Sequence, residues 1–479
     1  MSPGRNYFMA HSAISSSMQK EPFSEWYNDV IERAGLSDKR YSIKGMNIWL
    51  PYGWKLMGNI DRVIRKEMFA TDHEEVCFPT LIPEDHFKKE SEHIKGFEGE
   101  VYWVTHGGKD LLERPMLLRP TSEAAMYPMF SIWVRSHADL PLKIFQIINM
   151  FRYETKQTRS FIRVRECHFF EAHTCHPNAE GAEAQIAQDI GIMKRVGEQL
   201  CLPYLLVKRP EWDKFPGAIY SISADTLTPS GRTLQIGTIH QYGENFARPY
   251  DITYEDLHGQ HQYVHQTTYG MSERLLAAIV ALHGDEKGLV LPPSIAPHQV
   301  VVIPIPYKGI DVTDECKEIQ RILSPQYRVH LDSRDVRPGS KYYDWEIKGV
   351  PLRLEVGPRD VEKKEVTLVR RDTGEKRTVP RDRLSEAVGD CLRSIGEDMR
   401  KKALGRLETS IIPIDSMKAM EKGNGILKAG WCGNEACGLE IESTSGMQML
   451  GTPLSDSDES CKCIVCGKPG KSAYVARTY

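Results

Sequence analysis

Two strand-forming stretches, residues 143–154 (KIFQIINMFRYE) and 161–173 (FIRVRECHFFEAH), are separated by six polar and basic residues, TKQTRS. A parallel crossover needs a dozen or more residues, so this short link predicts an antiparallel pair closed by a long hairpin loop. Residues 180–201 read as a helix and residues 233–254 return to strand character. Upstream, Leu56, Ile60, Val63 and Ile64 recur at helical spacing, and Glu75-Val76-Cys77-Phe78 reads as a strand stopped by Pro79. Downstream, Tyr269-Gly270 opens MSERLLAAIVALHG, an apolar-striped helix with a glycine stop.

Length sets the next bound. A chain of 479 residues predicts about three domains. LPPSIAPHQ (291–299) is a proline-rich boundary, and beyond it VVIPI, YRVHLDS and PLRLEVG alternate with helical stretches, as in a small α/β unit. A charged helix near 381–403 leads into a cysteine-bearing tail. With 41% hydrophobic and 27% charged residues, wholesale disorder is excluded. A net charge of −3 neither calls for a polyanion partner nor excludes one. No run of about 18 apolar residues is present, so no membrane span is expected. The N-terminus lacks the apolar core of a secretory signal, and a cytoplasmic location is the simplest expectation.

Neither G-x-G-x-x-G nor G-x-x-x-x-G-K-[ST] occurs, which leaves dinucleotide and P-loop sites unsupported. The strongest cluster is Phe151-Arg152-Tyr153-Glu154. Strand alternation would put Arg152 and Glu154 on one face, a forked donor for a phosphate beside an acceptor for an amine. Alone, such a pair is more often a cross-strand salt-bridge ladder. Here a second charged face (Arg163, Arg165, Glu171, His173) and a turn (Gly270, Ser272, Arg274) before a helix follow it. Helix N-termini favour phosphates. Five of eleven cysteines fall in the last 48 residues. Cys432-x4-Cys437 and Cys463-x2-Cys466 have the pairing of a four-thiolate zinc site, structural because no ligand position stays open. Cys461 is the alternative ligand to Cys463.

These blocks resemble the three signature motifs of class II aminoacyl-tRNA synthetases: the helix and strand ending at Pro79, then FRYE with its loop and return strand, then GMSER. More narrowly, Arg119-Pro120-Thr121-Ser122-Glu123, Lys214-Phe215-Pro216-Gly217-Ala218, the run Leu234–His240, NFARPY and KGVPLRLEVGPRD are similar to prolyl-tRNA synthetases of the archaeal and eukaryotic-like type. That resemblance implies an α+β catalytic domain with an antiparallel sheet (20–290), an α/β anticodon-binding domain (295–402) and a small zinc-binding α+β domain (403–479). Residues 1–19 would be a disordered extension. Only 95 residues separate His173 from Tyr269, which leaves little room for an editing insertion.

The implied reaction joins L-proline to tRNA(Pro) through prolyl-adenylate, with ATP and Mg²⁺. Arg152 would bridge the α-phosphate and the proline carboxylate, and Arg274 would lie along adenine or the γ-phosphate. Glu154, Arg163, Gln235, Thr238 and Ser272 would complete the ATP site. Gln235 stands where many class II enzymes carry a metal-binding carboxylate, so Mg²⁺ is expected on phosphates and water. Thr121, Glu123 and His240 would hold proline. The resemblance also implies a homodimer. Arg159, Arg163 and Arg165 are candidates for guiding the acceptor end of tRNA, and the mixed charges of Glu346, Lys348, Arg353 and Arg359 for the anticodon. A relative charging threonine, glycine or histidine, or an inactive RNA-binding paralogue, are the competing readings. On residues alone AYVARTY reads as a frayed end. The resemblance instead implies a tail folded back to the catalytic domain, and on charge grounds a terminal carboxylate there should favour the amine side and avoid the phosphates.

Overall fold

The computed structural model describes residues 22–90, 99–155, 158–420, 425–454 and 461–479. The N-terminal extension and two residues of the TKQTRS loop lie outside them. Pro51–Phe69 is a helix, with proline at its first position and Leu56, Met57, Ile60 and Ile64 buried. Gly53 lets this helix touch the chain before it, since a Cβ there would lie 2.2 Å from the Leu36 carbonyl oxygen.

The core is a 12-stranded sheet. Leu142–Phe151 pairs antiparallel with Glu166–His176, which pairs with His265–Ser272; Arg232–Gly243 and Tyr220–Leu227 follow. Helices Ala179–Gln199 and Arg274–His283 pack against this sheet and share one core cluster with Pro51–Phe69. Beyond residue 299 a five-stranded sheet forms. Val329–Leu331, Val300–Pro304 and Leu352–Val356 run parallel, and Glu365–Arg370 and Lys376–Pro380 are added antiparallel. The 26-residue helix Leu384–Thr409 then leads to the terminal module.

That module is not a separate bead. Gln448–Pro453 pairs with Leu205–Lys208, and Pro469–Thr478 pairs parallel with Arg232–Gly243, so the terminal strands extend the central sheet.

Several expected elements shift, among them the stretch 233–254, whose strand ends at Gly243 and is followed by the short helix Ala247–Tyr250. The strand before Pro79 is only Glu74–Glu75, parallel to Leu142–Phe151. Past Val76, the Phe78 N–H donates to the Gln146 side chain (3.0 Å), and Arg119 takes the Phe78 and Pro79 carbonyls. The strand expected at 161–173 starts at Glu166, because residues 159–163 form a tight turn with Phe161 at φ 63°. The helix expected from Gly270 starts at Arg274, because Gly270, Met271 and Ser272 remain in the sheet opposite Phe169–Glu171. Among the described residues no helix is long and apolar enough to cross a membrane.

Candidate active site

All ten side chains expected at the substrate and ATP sites line one cavity of about 390 Å³. Thr121, Glu123 and His240 stand at one end; Arg152, Glu154, Arg163, Gln235, Thr238, Ser272 and Arg274 supply the rest.

Glu123 is the first residue of the helix Glu123–Trp133 and is buried. A lone buried carboxylate would be costly, and two hydroxyls answer it. Thr121 Oγ1 donates to its Oε2, and Tyr242 OH donates to Oε1 at 3.0 Å. Below it, buried Glu171 accepts from Gln146 Nε2 (2.7 Å) and faces His173 Nε2 (3.2 Å). Burial pushes the Glu171 carboxyl up, but bonds from His173, Ser122 and Gln146 outweigh it and lower its pKa.

His240 Nδ1 sits 2.7 Å from Ser221 Oγ, and the ring lies against Phe215 (centroids 4.9 Å apart). Burial, reinforced by His173, pushes its pKa down to about 3, so the imidazole is neutral at pH 7.

The other end is cationic. Arg274 donates from Nε to the Ile162 carbonyl (2.9 Å), and burial, with Arg152 and Arg163 close by, lowers its pKa. Arg152 donates to the Pro120 carbonyl at 3.2 Å, tying itself to the Thr121 loop. Arg163 pairs with Glu154 at 3.1 Å.

Arg152 and Glu154 reach the cavity by a route the alternation argument did not foresee. The strand ends at Phe151, and the Glu154 N–H turns back onto the Arg152 carbonyl at 2.7 Å. Gln235 and Thr238 differ in parity, yet both face the cavity. A register shift, with Ala224 opposite Gly237 but Asp225 opposite Gln235, inserts Ile236 as a bulge.

Sequence reasoning missed Tyr242, Ser221, Cys167 and Glu273. Tyr242 was accessible, being two residues from His240 on one strand. Ser221 is set opposite His240 only by strand register. Glu273 is buried beside Cys167, and its pKa rises to about 7 through desolvation.

The chain's last residues are docked. Tyr479 N–H donates to the Thr233 carbonyl, its hydroxyl meets Ser230 Oγ (2.9 Å), and Arg159 lies 5.5 Å from its ring. Its main-chain oxygen is 3.4 Å from Arg163 Nη2. The tail therefore meets the cationic end, not the amine side expected from sequence, because the parallel pairing of Arg477 and Thr478 with Arg232 and Thr233 carries it there.

In the terminal module the sulfurs of Cys432, Cys437, Cys463 and Cys466 lie within 4.8 Å of one another, with Cys466 and Cys432 at 3.7 Å. Metal–sulfur bonds of about 2.3 Å in a tetrahedron give edges of about 3.8 Å, so the quartet can hold a metal ion. Burial opposes ionisation of Cys463, yet backbone N–H groups from Cys466, Val465 and Cys432 lower its pKa to about 7. Cys461 stands outside the quartet.

Comparison with known proteins decides the family. Residues 102–283 match the tRNA synthetase class II core domain (G, H, P, S and T), 299–390 an anticodon binding domain, and 414–479 the prolyl-tRNA synthetase C-terminal domain. The proline–tRNA ligase of Thermococcus kodakarensis is 56% identical, covering 98% of this chain and 100% of its own length; that of Pyrococcus abyssi is 53% identical over 96% and 98%. The chain belongs to the prolyl-tRNA synthetase family. It is of the archaeal and eukaryotic type, a class II synthetase core joined to anticodon-binding and prolyl-specific terminal domains. Among solved prolyl-tRNA synthetases, that of Giardia lamblia in complex with prolyl-adenylate superposes with a TM-score of 0.92 at 35% identity, over 95% of this chain and 98% of that one. The Cryptosporidium parvum enzyme complexed with halofuginone and AMPPNP gives 0.90 at 34%, over 95% of each.

Proposed function

We propose that this prolyl-tRNA synthetase family member activates L-proline with ATP and transfers it to tRNA(Pro). The observation that carries the reading is the single cavity with paired acids at one end and three guanidinium groups at the other. A proline carboxylate oxygen attacks the α-phosphorus, the bond to the pyrophosphate oxygen breaks, and prolyl-adenylate forms. The terminal ribose hydroxyl of the tRNA then attacks the prolyl carbonyl and AMP leaves. Both steps need alignment and charge neutralisation more than a strong base. Arg152 neutralises the α-phosphate and proline carboxylate together, and Arg274 lies along the nucleotide. Glu154, oriented by Arg163, accepts from the adenine amine, while Gln235, Thr238 and Ser272 complete the ATP contacts. Mg²⁺ bound with ATP would supply further charge neutralisation at the phosphates. Glu123, held by Thr121, faces the cationic proline amine, and neutral His240 supplies a ring nitrogen.

The cysteine quartet holds structural zinc, the thiolate set this metal favours. We further propose a cytoplasmic homodimer formed through the Pro51–Phe69 region, where Trp54 and Phe69 are half exposed. Incubation with labelled proline, ATP and a tRNA(Pro) transcript tests the assignment. Labelled prolyl-tRNA is expected, and failure to acylate the transcript at saturating substrates would overturn it.

His240 yields a pH prediction. Its folded pKa of about 3 lies below the ordinary 6.5, so as pH falls the unfolded chain binds the proton first. His240 costs no stability above about 6.5 and destabilises the fold increasingly as pH drops from there toward 3. The KM for proline should therefore lack an inflection near pH 6.5 that disappears in His240→Asn. Such an inflection would show a titrating imidazole.

The docked tail yields another. Tyr479→Ala removes the ring beside Arg159 and the hydroxyl at Ser230. A cation–π contact of about 0.5–1 kcal/mol predicts a rise of about two- to fivefold in the KM for ATP, with metal content unchanged. An unchanged KM for ATP would make the docking functionally silent.

A further inference from the structure

The wall of the amino-acid pocket is anchored outside the catalytic core. Arg209, Asp213, Lys214, Phe215 and Pro216 line the cavity from the segment between strands Leu205–Lys208 and Tyr220–Leu227. Phe215 packs on His240, lies 5.7 Å from Tyr242, and donates its N–H to Ser221 Oγ at 2.9 Å. Trp212, three residues earlier, belongs to a different core. It joins the terminal module's hydrophobic cluster around Met420, Leu427, Trp431 and Ile441.

The seat for its indole is closely shaped. Trp431 meets it edge-on, with centroids 5.6 Å apart and planes at 87°. Nε1 lies 3.5 Å from Glu442 Oε1, which is itself fixed by the Met449 N–H at 2.9 Å. Gly438 forms the floor: a Cβ there would stand 2.2 Å from Trp212 Cη2 and 2.7 Å from Cζ2, so only glycine admits the ring. Gly438 directly follows Cys437, and Trp431 directly precedes Cys432. The seat is thus built beside two members of the cysteine quartet.

We infer that Trp212 is a positioning residue for the amino acid: the terminal module grips its indole and so fixes Phe215 and Pro216 against the substrate. The ring contributes no group to the reaction. It sets the distance between the pocket wall and His240, which bears on amino-acid binding and not on the nucleotide end. The inference rests on the proline reading above.

Full-length Trp212→Ala, Trp212→Phe and Gly438→Ala, compared with wild type in proline-dependent ATP–pyrophosphate exchange, test it. Trp212→Ala and Gly438→Ala are expected to raise the KM for proline by about tenfold while the KM for ATP stays within about twofold, because displacement of the wall acts on one substrate only. Trp212→Phe should recover most of the loss. Proline affinity by calorimetry should follow the KM. Gly438→Ala removes no core side chain and favours the helix, so it carries the test if Trp212→Ala does not fold. An unchanged KM for proline in the folded variants would overturn the inference, as would parallel rises for proline and ATP, which mark general loosening. Wild type that shows no proline-dependent exchange would instead remove the proline reading itself.

Discussion

Arg152→Ala is expected to lower proline-dependent ATP–pyrophosphate exchange by about 10²–10³-fold without unfolding the protein. Loss of one donor aimed at charge that develops in a transition state costs about 3–4 kcal/mol. Arg152 is exposed at the cavity, and its Nε bond to the Pro120 carbonyl at 3.2 Å fixes its direction without burying it in the core. The melting temperature should therefore move little. Exchange near the wild-type rate in a folded variant would sink the assignment of Arg152 to the reacting phosphate.

The second large effect is expected at the cysteine quartet. Cys463→Ser with Cys466→Ser removes two of four converging sulfurs. Zinc held by four thiolates contributes about 10–16 kcal/mol of apparent binding free energy to the folding of small modules. The double variant should lose its metal by elemental analysis and melt at lower temperature. The damage should spread, because Pro469–Thr478 belongs to the central sheet and carries Tyr479 to Arg163. Full metal retention by the variant, or no metal in wild type purified under reducing conditions, would contradict the ligand set.

Much of the site was legible in local patterns. The antiparallel pair of Leu142–Phe151 and Glu166–His176 followed from strand-like composition and a short link. The cysteines declared themselves by spacing. What alternation missed depends on backbone irregularity. The turn after Phe151 and the bulge at Ile236 both redirect side chains, and neither residue type announces it. Ser221 reaches His240 through strand register, a non-local fact. The merging of the terminal module into the central sheet was likewise illegible, since the partners Arg232 and Arg477 lie far apart along the chain. Their pairing reflects tertiary packing that no local window contains. The tail's direction toward the cationic end depends on that pairing as well, and it overrides the charge argument that put the carboxylate on the amine side.

The identity of the activated amino acid is the claim on which the rest depends. ATP–pyrophosphate exchange measured with each of the twenty amino acids separately tests it most directly. Strong exchange is expected with proline and far weaker exchange with the small competitors alanine and cysteine, because in the proposed site Glu123 and the Phe215–His240 wall would enclose a compact cyclic amine. Exchange driven best by threonine, glycine or histidine, or by no amino acid at all, would contradict it.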